Sequence, residues 1–118
     1  MHNRKQWMIW LAPWVWMGVI FYLSSQSTLP SAPEPWLDLL LKKGAHMVVY
    51  AILAFLWERA LRSGGMSTSR ARMVAFVLTV VYAGLDEYHQ HFVPGRTSRL
   101  WDVLIDALGA ALMLLRPR

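Results

Sequence analysis

Apolar residues fill this chain in four long blocks, separated by short polar connectors. Residues 7–33 carry no formal charge, and Trp7 to Ser24 is almost entirely Trp, Met, Ile, Leu, Val and Phe. A helix of that length rises about 27 Å, enough to cross a hydrocarbon layer. A cleaved leader would also show a basic start, here Arg4 and Lys5, before an apolar run. This run is longer than the apolar stretch of most leaders, holds four Trp and ends without a small-x-small pattern. It is therefore expected to remain as a membrane span.

Three further blocks follow, over about 43–61, 73–90 and 100–115. In each, the polar residues gather at one end and the other end is purely apolar. A soluble four-helix bundle would carry Glu, Lys and Arg along every outer face. Val74 to Leu85 has none, and between Lys43 and Glu58 the second block has only His46. The pattern predicts an all-α fold, a single domain built as a four-span transmembrane bundle.

Composition sharpens this picture. Hydrophobic residues make up 56% of the 118 positions and charged residues 16%, against about 25% charged in an average soluble domain. There is no Cys, which excludes disulfides and thiolate-ligated metals. The net charge of +5 raises the question of nucleic acid, but the basic residues sit in connectors rather than along a helix stripe, so no nucleic-acid partner is expected. The connectors also orient the bundle. Arg4, Lys5, Arg59, Arg62, Arg70, Arg72, Arg116 and Arg118 fall on one side, and Lys42, Lys43, Arg96 and Arg99 on the other. The positive-inside rule then puts both termini in the cytoplasm of a multi-pass inner-membrane protein. Trp7 and Trp57 fall at the inner interface on this reading, Trp36 and Trp101 at the outer one, and Ser63 to Ser69 reads as a flexible turn.

The polar residues converge in depth. Lys43, His46 and Tyr50 share one face of the second span, at i, i+3 and i+7. Tyr82, Asp86 and Gln90 do so on the third, flanked by Glu87 and His89. Asp102, Asp106 and Gly109 line the fourth, with Asp106 about 6 Å deeper than Asp102. All three faces lie at the outward ends of their spans, and the link from Val93 to Ser98 joins two of them. An ionised Asp in hydrocarbon costs about 2.5–3.5 kcal/mol on insertion scales, so these groups must pair or line a polar cavity. Lys43 or Arg96 can pair with Asp86, Glu87, Asp102 or Asp106. Such a network serves either helix packing or a pocket, and the number of groups favours the pocket.

Individual roles follow from chemistry. Asp86, Glu87 and His46 are the candidate general acid or base groups. Lys43, Tyr50, Gln90, Arg96, Ser98, Asp102 and Asp106 are the candidate ligand-binding residues, with the Arg96 fork, held after Pro94-Gly95, suited to phosphate or carboxylate. Ser98 is alternatively a cap for the fourth span. His89 and His91 stand at i, i+2 and do not share a helix face, so neither a metal nor another cofactor is expected. Gly84 and Gly109 are expected to allow close helix approach.

Lys43-x-x-His46-x-x-x-Tyr50, Asp86-Glu87-x-x-Gln90 and Pro94-Gly95-Arg96-x-Ser98-x-x-x-Asp102-x-x-x-Asp106-x-x-Gly109 together resemble the VanZ-like family of small bacterial membrane proteins. Phe21-Tyr22-Leu23-Ser24-Ser25-Gln26 fits the same pattern. Asp106 departs from it, since many members carry Asn there. The resemblance implies a bacterial cell-envelope membrane protein with a link to glycopeptide (teicoplanin) resistance, and brings no reaction with it.

The expected function is binding or modification of a polar-headed or anionic membrane lipid, or of a lipid-linked cell-wall precursor, at the outer leaflet. Arg96 and Lys43 would hold its phosphate or carboxylate. No Ser has an evident base partner, so binding and catalysis both stay open, as does a homo-oligomer. The alternatives are a proton-coupled transport module using Asp102 and Asp106, and a structural membrane subunit.

Overall fold

The computed structural model describes residues 6–25, 33–93 and 100–117. They form four helices and no strand: α1 (Gln6–Ser24), α2 (Pro35–Ser63), α3 (Thr68–Gln90) and α4 (Leu100–Leu114). The helices run alternately up and down. At one end Gln6 Nε2 donates to the carbonyl of Ser63 at 3.2 Å, and Arg72 Nη1 donates to the carbonyl of Arg116 at 3.0 Å. At the other end Gln90 Nε2 donates to Ser24 Oγ at 3.3 Å. The starts of α1 and α3 and the ends of α2 and α4 therefore share one end, called here the arginine end. The opposite end is the carboxylate end.

α2 starts at Pro35, well before the apolar block expected from Lys43. Proline at the first helical position costs no hydrogen bond, Asp38 in the first turn suits the helix dipole, and Lys42 pairs with Asp38 at 3.0 Å. The segment after Ser63 is an ordered turn. Gly65 takes φ +102°, and the backbone N–H of Met66 returns to the Leu61 carbonyl at 3.2 Å. A left-handed residue just past a helix end is best filled by glycine. Ser67 then caps α3 by accepting from the Arg70 N–H at 3.3 Å.

α2 is the centre of the bundle, packed by α4, α3 and α1, while α1 touches α3 only slightly. The interior combines many small residues with a few large ones, Ile20, Tyr50, Leu53, Trp57 and Leu114. Ala71, Ala75, Thr79, Ala83, Asp86 and Gln90 form the buried stripe of α3, and Ala54, Ala60, Gly109 and Ala110 line the facing helices. Most other large apolar side chains point outward: Leu11, Val15, Val48, Val77, Val81, Leu104, Leu108 and Leu112 are all exposed. Small residues at the helix contacts and large ones facing outward is how helices pack in lipid, where close backbone approach drives association. α1, α2 and α3 are long and apolar enough to cross a membrane.

The tightest approach is at Gly109, where a Cβ would stand 2.3 Å from the Met47 carbonyl oxygen and 2.8 Å from its Cα. Gly84 differs from expectation: a Cβ there would meet nothing within 4 Å, so it makes no close contact. Trp57 differs too. It is 6% exposed and lies in the core, its ring edge-on to Trp14 at 5.5 Å, rather than at an interface. Trp7, Trp36 and Trp101 are exposed.

Candidate polar site at the carboxylate end

α2 presents Lys43, His46 and Tyr50 on one face, and each meets a carboxylate from another helix. Lys43 Nζ pairs with Asp102 of α4. His46 Nδ1 stands 3.0 Å from Asp106 Oδ1, one turn deeper on α4. Tyr50 is fully buried and donates its hydroxyl to Asp86 Oδ2 of α3 at 2.8 Å. The helical spacing makes this a ladder. Residues at i, i+3 and i+7 rise along one face, and Asp102 and Asp106 match the first two steps at i and i+4.

The third step extends sideways. Gln90 Nε2 lies 3.5 Å from Asp86 Oδ2 and also reaches Ser24 of α1. Four helices thus contribute to one polar cluster whose members Ser24, Asp86, Gln90, Asp102 and Asp106 are all buried. The His46 and Tyr50 rings lie nearly parallel with centroids 6.2 Å apart, which ties the second and third steps. Asp86 Oδ1 is buried and, among the described residues, has no hydrogen-bond partner. A buried carboxylate oxygen in that state needs a proton, a water or a ligand atom to satisfy it.

Glu87 pairs with His91 at 3.1 Å, one turn on along α3. His89 stacks on Phe21 of α1 at 4.5 Å. Arg96 and Ser98 lie outside the described residues. Among the described residues no group of three or more His, Asp or Glu is placed to hold a metal.

Beside the ladder, between α1 and α2, lies a cleft of about 140 Å³. Ile20, Leu23 and Val49 make its apolar wall, and Ser24, Lys42, His46 and Tyr50 give it a polar edge. The helices are held apart in part by Trp16, whose Nε1 donates to the Val49 carbonyl at 2.9 Å. The cleft can take an apolar chain along α1 while presenting imidazole, phenol, hydroxyl and ammonium groups to a polar head.

The spacing argument did not single out Glu58. It lies at the arginine end, 1% exposed, with Arg116 bridging both its oxygens at 3.0 and 3.1 Å. Arg72 Nε stands 3.3 Å away and Arg62 Nη1 3.4 Å. Two signals in the sequence point to it: Arg62 four positions on, and its place as the one acidic residue among the eight basic residues assigned to that side. Thr79 is the one buried polar residue between the two ends among the described residues.

No curated protein and no solved structure matches the chain. The family model for VanZ/LLP1 matches residues 6–116, and with nearly every described residue inside that match, the chain belongs to the VanZ/LLP1 family.

Proposed function

We propose that this protein is a four-span cell-envelope membrane protein, with both termini cytoplasmic, that holds the polar head of an amphiphile at the outer leaflet. The ligand class is an anionic or polar-headed lipid, or a lipid-linked cell-wall precursor. The observation that carries this reading is the α1–α2 cleft, apolar along Ile20, Leu23 and Val49 and edged by Ser24, His46 and Tyr50. Its shape and chemistry suit a molecule with one greasy chain and one polar end. VanZ/LLP1 membership supports the link to the envelope and to glycopeptide tolerance.

The four-span reading rests on two polar layers. α4 has 15 residues and rises about 22 Å, short for a span by itself. Yet it pairs with α2 near both ends, through Asp102 with Lys43 and Arg116 with Glu58. α4 therefore covers the same depth as α2 between the polar layers. The alternative of a proton path is disfavoured by the same layout, since among the described residues Thr79 is the one buried polar residue between the two ends.

The test uses the full chain in nanodiscs, with a polyprenyl phosphate or phosphatidylcholine as probe. Ala45→Trp fills the cleft from α2 without touching the carboxylates. Polyprenyl phosphate should raise the thermal midpoint of the wild type and leave Ala45→Trp unchanged, and Ala45→Trp should lose complementation in an envelope-antibiotic sensitivity assay. Equal stabilisation of both proteins would refute occupancy of the cleft.

A further inference from the structure

The arginine end holds more positive charge than its own carboxylate can balance. Three guanidinium groups, from Arg62, Arg72 and Arg116, converge on Glu58. Arg116 spends two nitrogens on both carboxylate oxygens, and Arg72 Nη1 is tied to the Arg116 carbonyl. Those two groups are committed to the fold. Arg62 is not committed in the same way. Its side chain is 51% exposed, and it reaches Glu58 through a single nitrogen at 3.4 Å.

Arg62 borders an open groove of about 530 Å³ beneath the ordered α2–α3 turn. Arg59 and Arg116 line it with further guanidinium groups, Glu58 borders it with both oxygens held by Arg116, and Ser67 and Thr68 bring hydroxyls, while that of Ser63 is donated to the Ala60 carbonyl. Phe55 adds an exposed aromatic ring to its lining, with the Arg116 guanidinium 5.2 Å from the ring centroid. The other six acidic side chains belong to the carboxylate end or to the start of α2, so among the described residues no second side-chain carboxylate is at hand to neutralise Arg59 and Arg62. Guanidinium groups bind phosphate with charge-assisted, often paired hydrogen bonds.

We propose that this groove binds the phosphate of an anionic glycerophospholipid from the leaflet at the arginine end. Arg62 and Arg59 hold the phosphate, the hydroxyls of Ser67 and Thr68 assist, and an acyl chain runs down over Phe55. This site is separate from the cleft at the carboxylate end and takes a different part of a different leaflet.

The experiment uses the full chain in nanodiscs of phosphatidylcholine, alone or doped with phosphatidylglycerol. Retained lipid is read by native mass spectrometry and stability by thermal midpoint. Wild type should retain phosphatidylglycerol selectively and melt higher with it. Arg62→Gln should weaken that retention about fivefold, the scale expected for one interfacial basic group. Arg70→Gln removes the same charge from an exposed position outside the groove and should leave retention unchanged. Arg72 and Arg116 still hold Glu58 in both variants, so folding is kept. His46→Ala, at the other end, should also retain phosphatidylglycerol. Equal losses in Arg62→Gln and Arg70→Gln would reduce the effect to diffuse surface charge and overturn the site. Equal retention of both lipids by wild type would overturn it as well. Stabilisation by inorganic phosphate equal to that by phosphatidylglycerol would overturn the lipid assignment.

Discussion

The contact between α2 and α4 at Gly109 gives the most direct handle on the bundle. Replacing Gly109 with Ala adds one carbon at a point where the Met47 carbonyl oxygen is 2.3 Å away and the Met47 Cα 2.8 Å away. Both are backbone atoms, so no side chain can swing aside. Packed heavy atoms sit about 3.5 Å apart, so α4 must withdraw by roughly 1 Å. Overpacking of this kind costs about 1–3 kcal/mol, and the first 1–2 kcal/mol of that lowers the folded-to-unfolded ratio about 5- to 30-fold. The withdrawal also pulls on the ladder, because Asp106 lies one turn before Gly109 and its 3.0 Å contact with His46 spans the same interface.

Gly84→Ala is the matched control. A Cβ there meets nothing within 4 Å, and Ala in a helix interior is favoured over Gly by about 1 kcal/mol. Thermal unfolding in detergent should therefore show Gly109→Ala melting well below wild type and Gly84→Ala at or above it. The reasoning fails if the two variants melt together, since the close approach would then not limit the packing.

Further expectations concern the two polar ends. Tyr50→Phe removes the buried hydroxyl that donates to Asp86 and should cost about 1–3 kcal/mol; a double-mutant cycle with Asp86→Asn should show a coupling energy, and simple additivity would mean the pair does not interact. Asp106→Asn keeps a hydrogen-bonding oxygen beside His46 and should fold with a near wild-type midpoint, whereas Asp106→Leu should lose folded yield; equal yields would remove the ladder's second step. Glu58→Gln strips the negative centre from three guanidinium groups and should cost about 3–5 kcal/mol, read as a lower melting temperature, and an unchanged midpoint would show the cluster to be dispensable. Single cysteines at Ser31 and Ser69 test topology: an impermeant thiol reagent on intact cells should label the first and not the second, and the reverse pattern would invert the orientation.

The helical character of the chain could be read from its apolar blocks, because a continuous run leaves few alternatives. The faces of α2, α3 and α4 could be read from i, i+3, i+4 and i+7 spacing, because that period is fixed by the helix itself. The partners on those faces could not. Lys43 had four carboxylates within sequence-level reach, and only the depth match between α2 and α4 selects Asp102. Glu58 depends on Arg116 arriving from 58 positions away, which no local window contains. Gly84 and Gly109 look alike as small residues in apolar spans, and only the helix crossing separates the one that meets a backbone from the one that meets nothing.

The two ends also differ in a way that fixes what each can do. At the carboxylate end Asp86, Asp102 and Asp106 face one lysine, one histidine and one phenol on α2. At the other end three arginines face one glutamate. The dipoles of α2 and α4 favour this arrangement, since their N-termini lie at the carboxylate end and their C-termini at the arginine end, and opposite charge is stabilised at each. Turning the bundle over in the membrane would bring the arginine cluster to the outer face against the positive-inside tendency. While on α3 Arg72 near the N-terminus and Asp86 near the C-terminus run against the dipole, on α2 and α4 charge segregation and helix polarity therefore act together. They hold a buried acid cluster beside an apolar cleft at one surface and a surplus of guanidinium at the other, so each end can receive a ligand of its own chemistry without sharing groups with the other.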